Sequence, residues 1–186
     1  CPNSQQGYTG FSTWTRGLAW AMCGYAEELG WLQTCDARDL EQFGGKQKNE
    51  AFMLKAAKAT CDFYIDHTPT DGIPYWDTGA PGLTGIKDYL NKPADPDNEH
   101  EPVDSSAAAI AAQGLLRMGK YLEESDQQSA KRYWQCGLTV MDTLLQEPYL
   151  GTDAKHQGLI LHSIYHRPNG WDFVPKGSKI PNGESS

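Results

Sequence analysis

Thr15-Arg16-Gly17, with Trp20 close behind, is the stretch richest in potential chemistry. A guanidinium presents a rigid fork of N–H donors that matches a carboxylate, and an indole offers a flat apolar face to a sugar ring. Arg16 and Trp20 are four apart, so on a helix they share one side. Gly17 within a helix costs about 1 kcal/mol relative to Ala, which points to a neighbour or a ligand pressed close. The competing reading is a Trp-rich core contact with Arg16 in a structural ion pair. Pro74-Tyr75-Trp76-Asp77 is a second candidate, because aromatic residues in a long loop need cover. Trp76 can line a pocket, or the loop can pack on its own rings. Asp77 and Asp104 are the loop-end acids with aromatic neighbours. Ordinary glycoside hydrolysis needs two carboxyl groups flanking one bond, but nothing in their spacing pairs them, and Asp104 reads first as a helix cap. His162 and His166 are four apart with no third ligand at metal spacing. His162 is left with a pocket hydrogen-bonding role or a structural one. Gln5 and Gln6 are, by themselves, polar loop residues.

These residues must be positioned by helices. Asp104-Ser105-Ser106 supplies a cap, the alanines after it have the highest helix propensity, and Ile110, Gly114, Leu115, Met118 and Leu122 recur at three- and four-residue spacing. This predicts a tightly packed inner helix over residues 104–123, with the loop 74–103 delivered to its first turn. Further helices are expected over 13–30, with Trp14, Leu18, Met22, Tyr25 and Leu29 on one face and Gly30 as a stop, and over 48–67, with Phe52, Ala56, Thr60, Phe63 and Tyr64 together. A fourth is expected over 126–146, stacking Tyr133, Trp134, Gly137, Leu138, Met141 and Leu145. Pro69-Thr70-Asp71-Gly72 has turn chemistry, and a short strand near 158–161 is the one departure from an all-α reading. The helices pair as αα-hairpins whose long loops collect at one end. Two hairpins cannot close a ring, so either something is missing or the chain exposes a large apolar edge.

The chain has 186 residues and a net charge of −8. The charge argues against nucleic acid, which wants a basic face, yet leaves room for an anionic small substrate met by one buried Arg. No run approaches the ~20 apolar residues that span a bilayer, so no membrane partner is expected. Five Cys without C-x-x-C spacing give no disulfide or zinc framework, and Cys23, Cys61 and Cys136 read as small core residues. No metal and no cofactor are expected. The first residue is Cys and the last are loop-like, so both ends read as cuts.

Four stretches taken together, Thr15-Arg16-Gly17-Leu18-Ala19-Trp20, Asp71-Gly72-Ile73-Pro74-Tyr75-Trp76-Asp77, Asp104-Ser105-Ser106-Ala107-Ala108-Ala109-Ile110-Ala111-Ala112 and Leu161-His162-Ser163, resemble glycoside hydrolase family 88, the unsaturated glucuronyl hydrolases. The unsaturated rhamnogalacturonyl hydrolases of family 105 share the architecture, but the pairing of Pro-Tyr-Trp-Asp with Asp-Ser-Ser-Ala fits family 88 better. The resemblance implies an (α/α)6 barrel, a toroid of six hairpins, with this chain similar to its C-terminal half. Residues 1–186 then form one partial catalytic domain, truncated at both ends. The implied activity is release of an unsaturated uronic acid from the non-reducing end of lyase-generated oligosaccharides, of glycosaminoglycan or pectin origin. Its chemistry is hydration of the C4–C5 double bond. The family's two catalytic aspartates lie upstream of the Thr-Arg-Gly motif, so no catalytic residue is carried over and the piece alone is expected to be inactive. The implied substrate-binding wall is Arg16 and Trp20, joined by Trp76, His162 and Gln6. Two departures stand out: Gln5 where the family usually has His, and Leu18 where it commonly has Gln. The alternatives are a family 105-like hydrolase and a non-catalytic carbohydrate-binding α-hairpin domain.

Overall fold

The computed structural model describes residues 6–155 and 157–165. Four helices carry it: α1 (Thr15–Thr34), α2 (Lys46–Asp66), α3 (Ser105–Tyr121) and α4 (Gln127–Leu144). α1 and α2 form one αα-hairpin, α3 and α4 the next, and α3 packs extensively against both α1 and α4. A 3-10 helix, Ala37–Phe43, fills the first connection. The expected all-α class is seen among the described residues, where extended pairing is limited to isolated bridges. One of these, Leu150 with Ile160, stands where a short strand was expected.

α3 forms as its sequence dictates. The Asp104 Oδ1 accepts from the N–H of Ser106 at 3.1 Å and of Ala107 at 3.2 Å, satisfying donors that the first turn cannot satisfy itself. Ala107, Ala108, Ala111, Ala112, Leu115 and Met118 are wholly buried. A Cβ on Gly114 would lie 3.0 Å from both the backbone N of Cys23 and the backbone C of Met22, so the bare glycine is what lets α1 and α3 cross this closely. The turn before the long loop also forms: Gly72 N donates to Pro69 O at 2.9 Å, with Gly72 at φ +79.

The helix extents and faces differ from expectation in instructive ways. α1 does not stop at Gly30 but runs to Thr34, with Gly30 exposed in mid-helix. Its buried face is Ala19, Met22, Cys23, Ala26 and Leu29, so only Met22 and Leu29 of the expected stripe are buried. α2 buries Ala57, Cys61 and Tyr64, leaving Phe52 exposed. α4 turns Tyr133, Gly137, Val140 and Leu144 inward, while Trp134, Leu138, Met141 and Leu145 lie exposed. Where α1 and α4 cross α3 most closely the contacts fall on glycines, Gly114 of α3 against Met22 and Cys23, and Gly137 of α4 against Leu116, with larger residues such as Met22, Leu29 and Tyr133 buried around them. Large apolar side chains are also exposed on α1, at Trp20 and Trp31. Among the described residues no helix is long and apolar enough to cross a membrane.

Candidate functional site

The loop 74–78 lashes the starts of α1 and α3 together. Thr15 N donates to Trp76 O at 3.1 Å and Thr78 N to Thr13 O at 3.0 Å, while on the other side Trp76 N donates to Pro102 O at 3.1 Å and Asp104 N to Pro74 O at 2.8 Å. The Thr15 hydroxyl sits between the Tyr75 and Trp76 carbonyls at 2.8 and 2.9 Å. The segment 161–165 is then laid over the same end. Ser105 N donates to His162 O at 3.2 Å, the Ser105 hydroxyl to Leu161 O at 2.6 Å, and Leu161 N to Tyr149 O at 2.7 Å.

Arg16 is the hub of this arrangement. Its Nε faces Asp104 Oδ2 at 3.5 Å, and its Nη2 donates to Ile164 O at 2.5 Å and also to Tyr165 O. The guanidinium lies 5.3 Å from the Trp14 ring centroid and 5.8 Å from that of Tyr165, within cation–π range of both. A Cβ on Gly17 would meet Trp14 Cε3 at 2.7 Å, so the close neighbour that Gly17 announced is the Trp14 ring folded back beside Arg16. Nη2 donates to two carbonyls, Nε is buried facing Asp104 without a hydrogen bond, and Nη1 makes no hydrogen bond among the described residues. Asp104 is fully buried. Burial pushes its carboxyl above the ordinary value, and donation from Ser106, the Arg16 charge and the N–H groups of Ala107 and Ile164 pull it back.

Trp20, one turn along α1 from Arg16, is 57% exposed, so its indole is presented outward. Trp76 is different: only 2% exposed, its Nε1 donates to Glu101 Oε2 at 2.8 Å. A buried indole N–H needs an acceptor, and Glu101 supplies one within the loop, so Trp76 braces the loop from inside and its ring does not form a wall. His162 adopts φ +60 and stands edge-on to Tyr149, with ring centroids 5.8 Å apart. It borders a cavity of about 380 Å³ whose other lining includes Glu147, Thr152, Asp153 and Leu161. Gln6 is half-buried, its segment anchored where Tyr8 N donates to Asp77 Oδ2 at 2.8 Å. Gln5 and His166 lie outside the described residues. Asp77 and Asp104 do not pair. Asp77 is wholly buried and accepts from Tyr8 N, the Ser12 hydroxyl and Gly79 N, which makes it a latch for residues 8–12.

The structure thus joins Arg16, the Trp76 backbone and the His162 segment at one helix end, with Trp20 exposed beside them. Sequence reasoning missed Trp14 and Tyr165 as the flanks of Arg16, and Ser105 as the staple for residues 161–162. Gly17 signalled the first, but no local pattern signals a residue that returns from the far end of the chain. Among the described residues no three His, Cys, Asp or Glu side chains gather as metal ligands. A larger cavity, about 490 Å³, lies at the opposite end of α3, against Gly119 and Trp134.

No protein-family model matches the chain. It is 30% identical over 180 residues to an unsaturated glucuronyl hydrolase from Formosa agariphila, covering 96% of this chain and 34% of that protein. It is 30% identical over 168 residues to the unsaturated glucuronyl hydrolase of Bacillus sp. strain GL1, covering 90% of this chain and 36% of that one. The crystal structure of unsaturated glucuronyl hydrolase from Bacillus sp. GL1, described as responsible for degradation of glycosaminoglycan, superposes with a TM-score of 0.60 at 30% identity, over 88% of this chain and 35% of that one. The chain therefore spans about a third of the length of these relatives, and its paired helices are hairpins of their (α/α)6 barrel. On sequence and fold together, this chain belongs to the unsaturated glucuronyl hydrolase family.

Proposed function

We propose that the protein to which these residues belong releases an unsaturated uronic acid from the non-reducing end of lyase-generated oligosaccharides, and that this chain supplies one wall of the cleft. The observation that carries the reading is the fixed Arg16 guanidinium at the mouth shared by α1 and α3, with Nη1 uncommitted and the exposed Trp20 face one turn away. A cation held in a partly buried site is placed for a sugar carboxylate, and an exposed indole for a sugar ring. The adjoining cavity beside His162 is of a size to take a further sugar unit.

The chemistry proposed is protonation of the C4–C5 alkene and addition of water at C5, after which the hemiketal collapses and frees the sugar. The proton-transferring acids are assigned to parts of the protein beyond these residues, since Asp77 and Asp104 are both spent on structural donors. Glycosaminoglycan fragments are the preferred substrate class, with pectin fragments a second one to test. A related structure, at 30% identity and a TM-score of 0.60, carries dGlcA-Glc-Rha-Glc, which makes an unsaturated glucuronyl terminus the group to test first.

The test is consumption of the alkene absorbance of lyase-cut disaccharides by the full-length protein. Loss of the chromophore with release of the neighbouring sugar is expected, and persistence with every uronide tried would refute the assignment. Leu18 favours one further reading. It is partly buried against the core and offers no polar contact where the family commonly has Gln. Binding without turnover by the full-length protein would select a carbohydrate-binding role.

A further inference from the structure

We propose that Asp104 is a positioning residue for Arg16, turning the guanidinium so that Nη1 alone meets the carboxylate of the bound sugar acid; this rests on the uronide reading of the site. Three observations carry it. Asp104 divides its carboxylate: Oδ1 takes the Ser106 N–H, the Ala107 N–H and the Ser106 hydroxyl at 3.1, 3.2 and 2.5 Å, and Oδ2 is turned to Arg16 Nε. The guanidinium is also held by the Ile164 and Tyr165 carbonyls through Nη2. Its carbon lies 5.3 Å from the Trp14 ring centroid and 5.8 Å from that of Tyr165. Nε is buried against Asp104 with no hydrogen bond of its own and Nη2 is held by two carbonyls, so a bidentate grip is closed off and the ligand's anion receives donation from one nitrogen. Arg16 touches the ligand, and Asp104 acts only through Arg16.

Asp104→Asn separates the two jobs of this residue, because Asn caps a helix as well as Asp does while lacking the negative charge that faces Nε. The experiment uses the full-length protein and calorimetric titration with a saturated glucuronyl disaccharide, which has no double bond to hydrate, alongside its methyl ester. Asp126→Asn, at the cap of α4, is the control. For Asp104→Asn the expected result is about tenfold weaker binding of the acid, the scale of one hydrogen bond to a charged group. The ester should be bound with unchanged affinity, and circular dichroism should show the variant folded at the temperature of the titration. Unchanged affinity for the acid overturns the proposal, as does equal loss for acid and ester, which would make Asp104 a purely structural cap. A wild-type protein that does not distinguish acid from ester overturns the uronide reading itself, and the positioning role with it.

Discussion

Alanine at position 114 puts the crossing of α1 and α3 under direct test. Helix propensity alone favours Ala over Gly by about 1 kcal/mol. Against that, the new Cβ arrives 3.0 Å from Cys23 N and Met22 C and 3.1 Å from Met22 Cβ, inside the roughly 3.5–4.0 Å at which such atoms attract. Two of those three atoms are helix backbone, which cannot rotate aside as a side chain can, so α1 as a whole must give way. Overpacking of this kind costs about 1–3 kcal/mol, and the net effect is destabilisation of up to about 2 kcal/mol. Gly30 provides the control within α1, since nothing lies within 4 Å of its absent Cβ. There the same substitution should stabilise by about 1 kcal/mol. Each kcal/mol moves the melting temperature by about 2–4 °C for a domain of this size, so thermal unfolding followed by circular dichroism resolves the opposite signs. Melting of Gly114→Ala above wild type, in step with Gly30→Ala, would refute the close crossing. It would also remove the reason why Arg16 and Asp104, one at the start of each helix, come within reach of each other.

Other substitutions probe the site and its supports. The Asp126 carboxyl is held well below the usual carboxylate range by donation from Lys58 and Ser129. Its native value lies below its unfolded one, so its contribution is present above the ordinary carboxylate range and is lost as pH falls through the native value. Stability curves of wild type and Asp126→Asn should therefore differ near neutrality and converge in acid; parallel curves would contradict the pairing. His162→Gly releases a left-handed residue that costs about 1–2 kcal/mol and forfeits an edge contact with Tyr149 of about 0.5–1.5 kcal/mol. Melting should stay near wild type while binding of the glucuronyl disaccharide weakens, and a lowered melting point with intact binding would mark His162 as structural. Burial, reinforced by neighbouring Asp62, pushes the Cys61 thiol up to about 12, so at neutral pH peptide mapping after alkylation should find Cys35 modified well before Cys61. Equal labelling would mean that α2 does not bury Cys61.

The parts that could be read in advance are those governed by neighbours in sequence. Asp104 caps and the alanines after it pack inward because a carboxylate two or three residues before free N–H groups, and side chains of one carbon, act locally. Gly72 turns for the same kind of reason. The face of α4 was read only in part: Tyr133 and Gly137 turn inward as expected, but the large apolar Trp134, Leu138 and Met141 carry a periodic signal although they lie exposed, while Val140 and Leu144 complete the buried face. Trp76 was expected to line a wall, and it is enclosed because Glu101, twenty-five residues further on, comes back to accept its N–H. The carbonyl partners of Arg16 could not be read in advance, since they belong to residues that no pattern near position 16 announces.

Arg16 reaches Ile164 across 148 positions. Order of synthesis follows from that span: helices α1 to α4 are all made before residues 164 and 165, whose carbonyls hold Arg16, emerge. A ribosome-stalled chain ending after α4 would carry helices α1 to α4 and lack the carbonyls that hold Arg16.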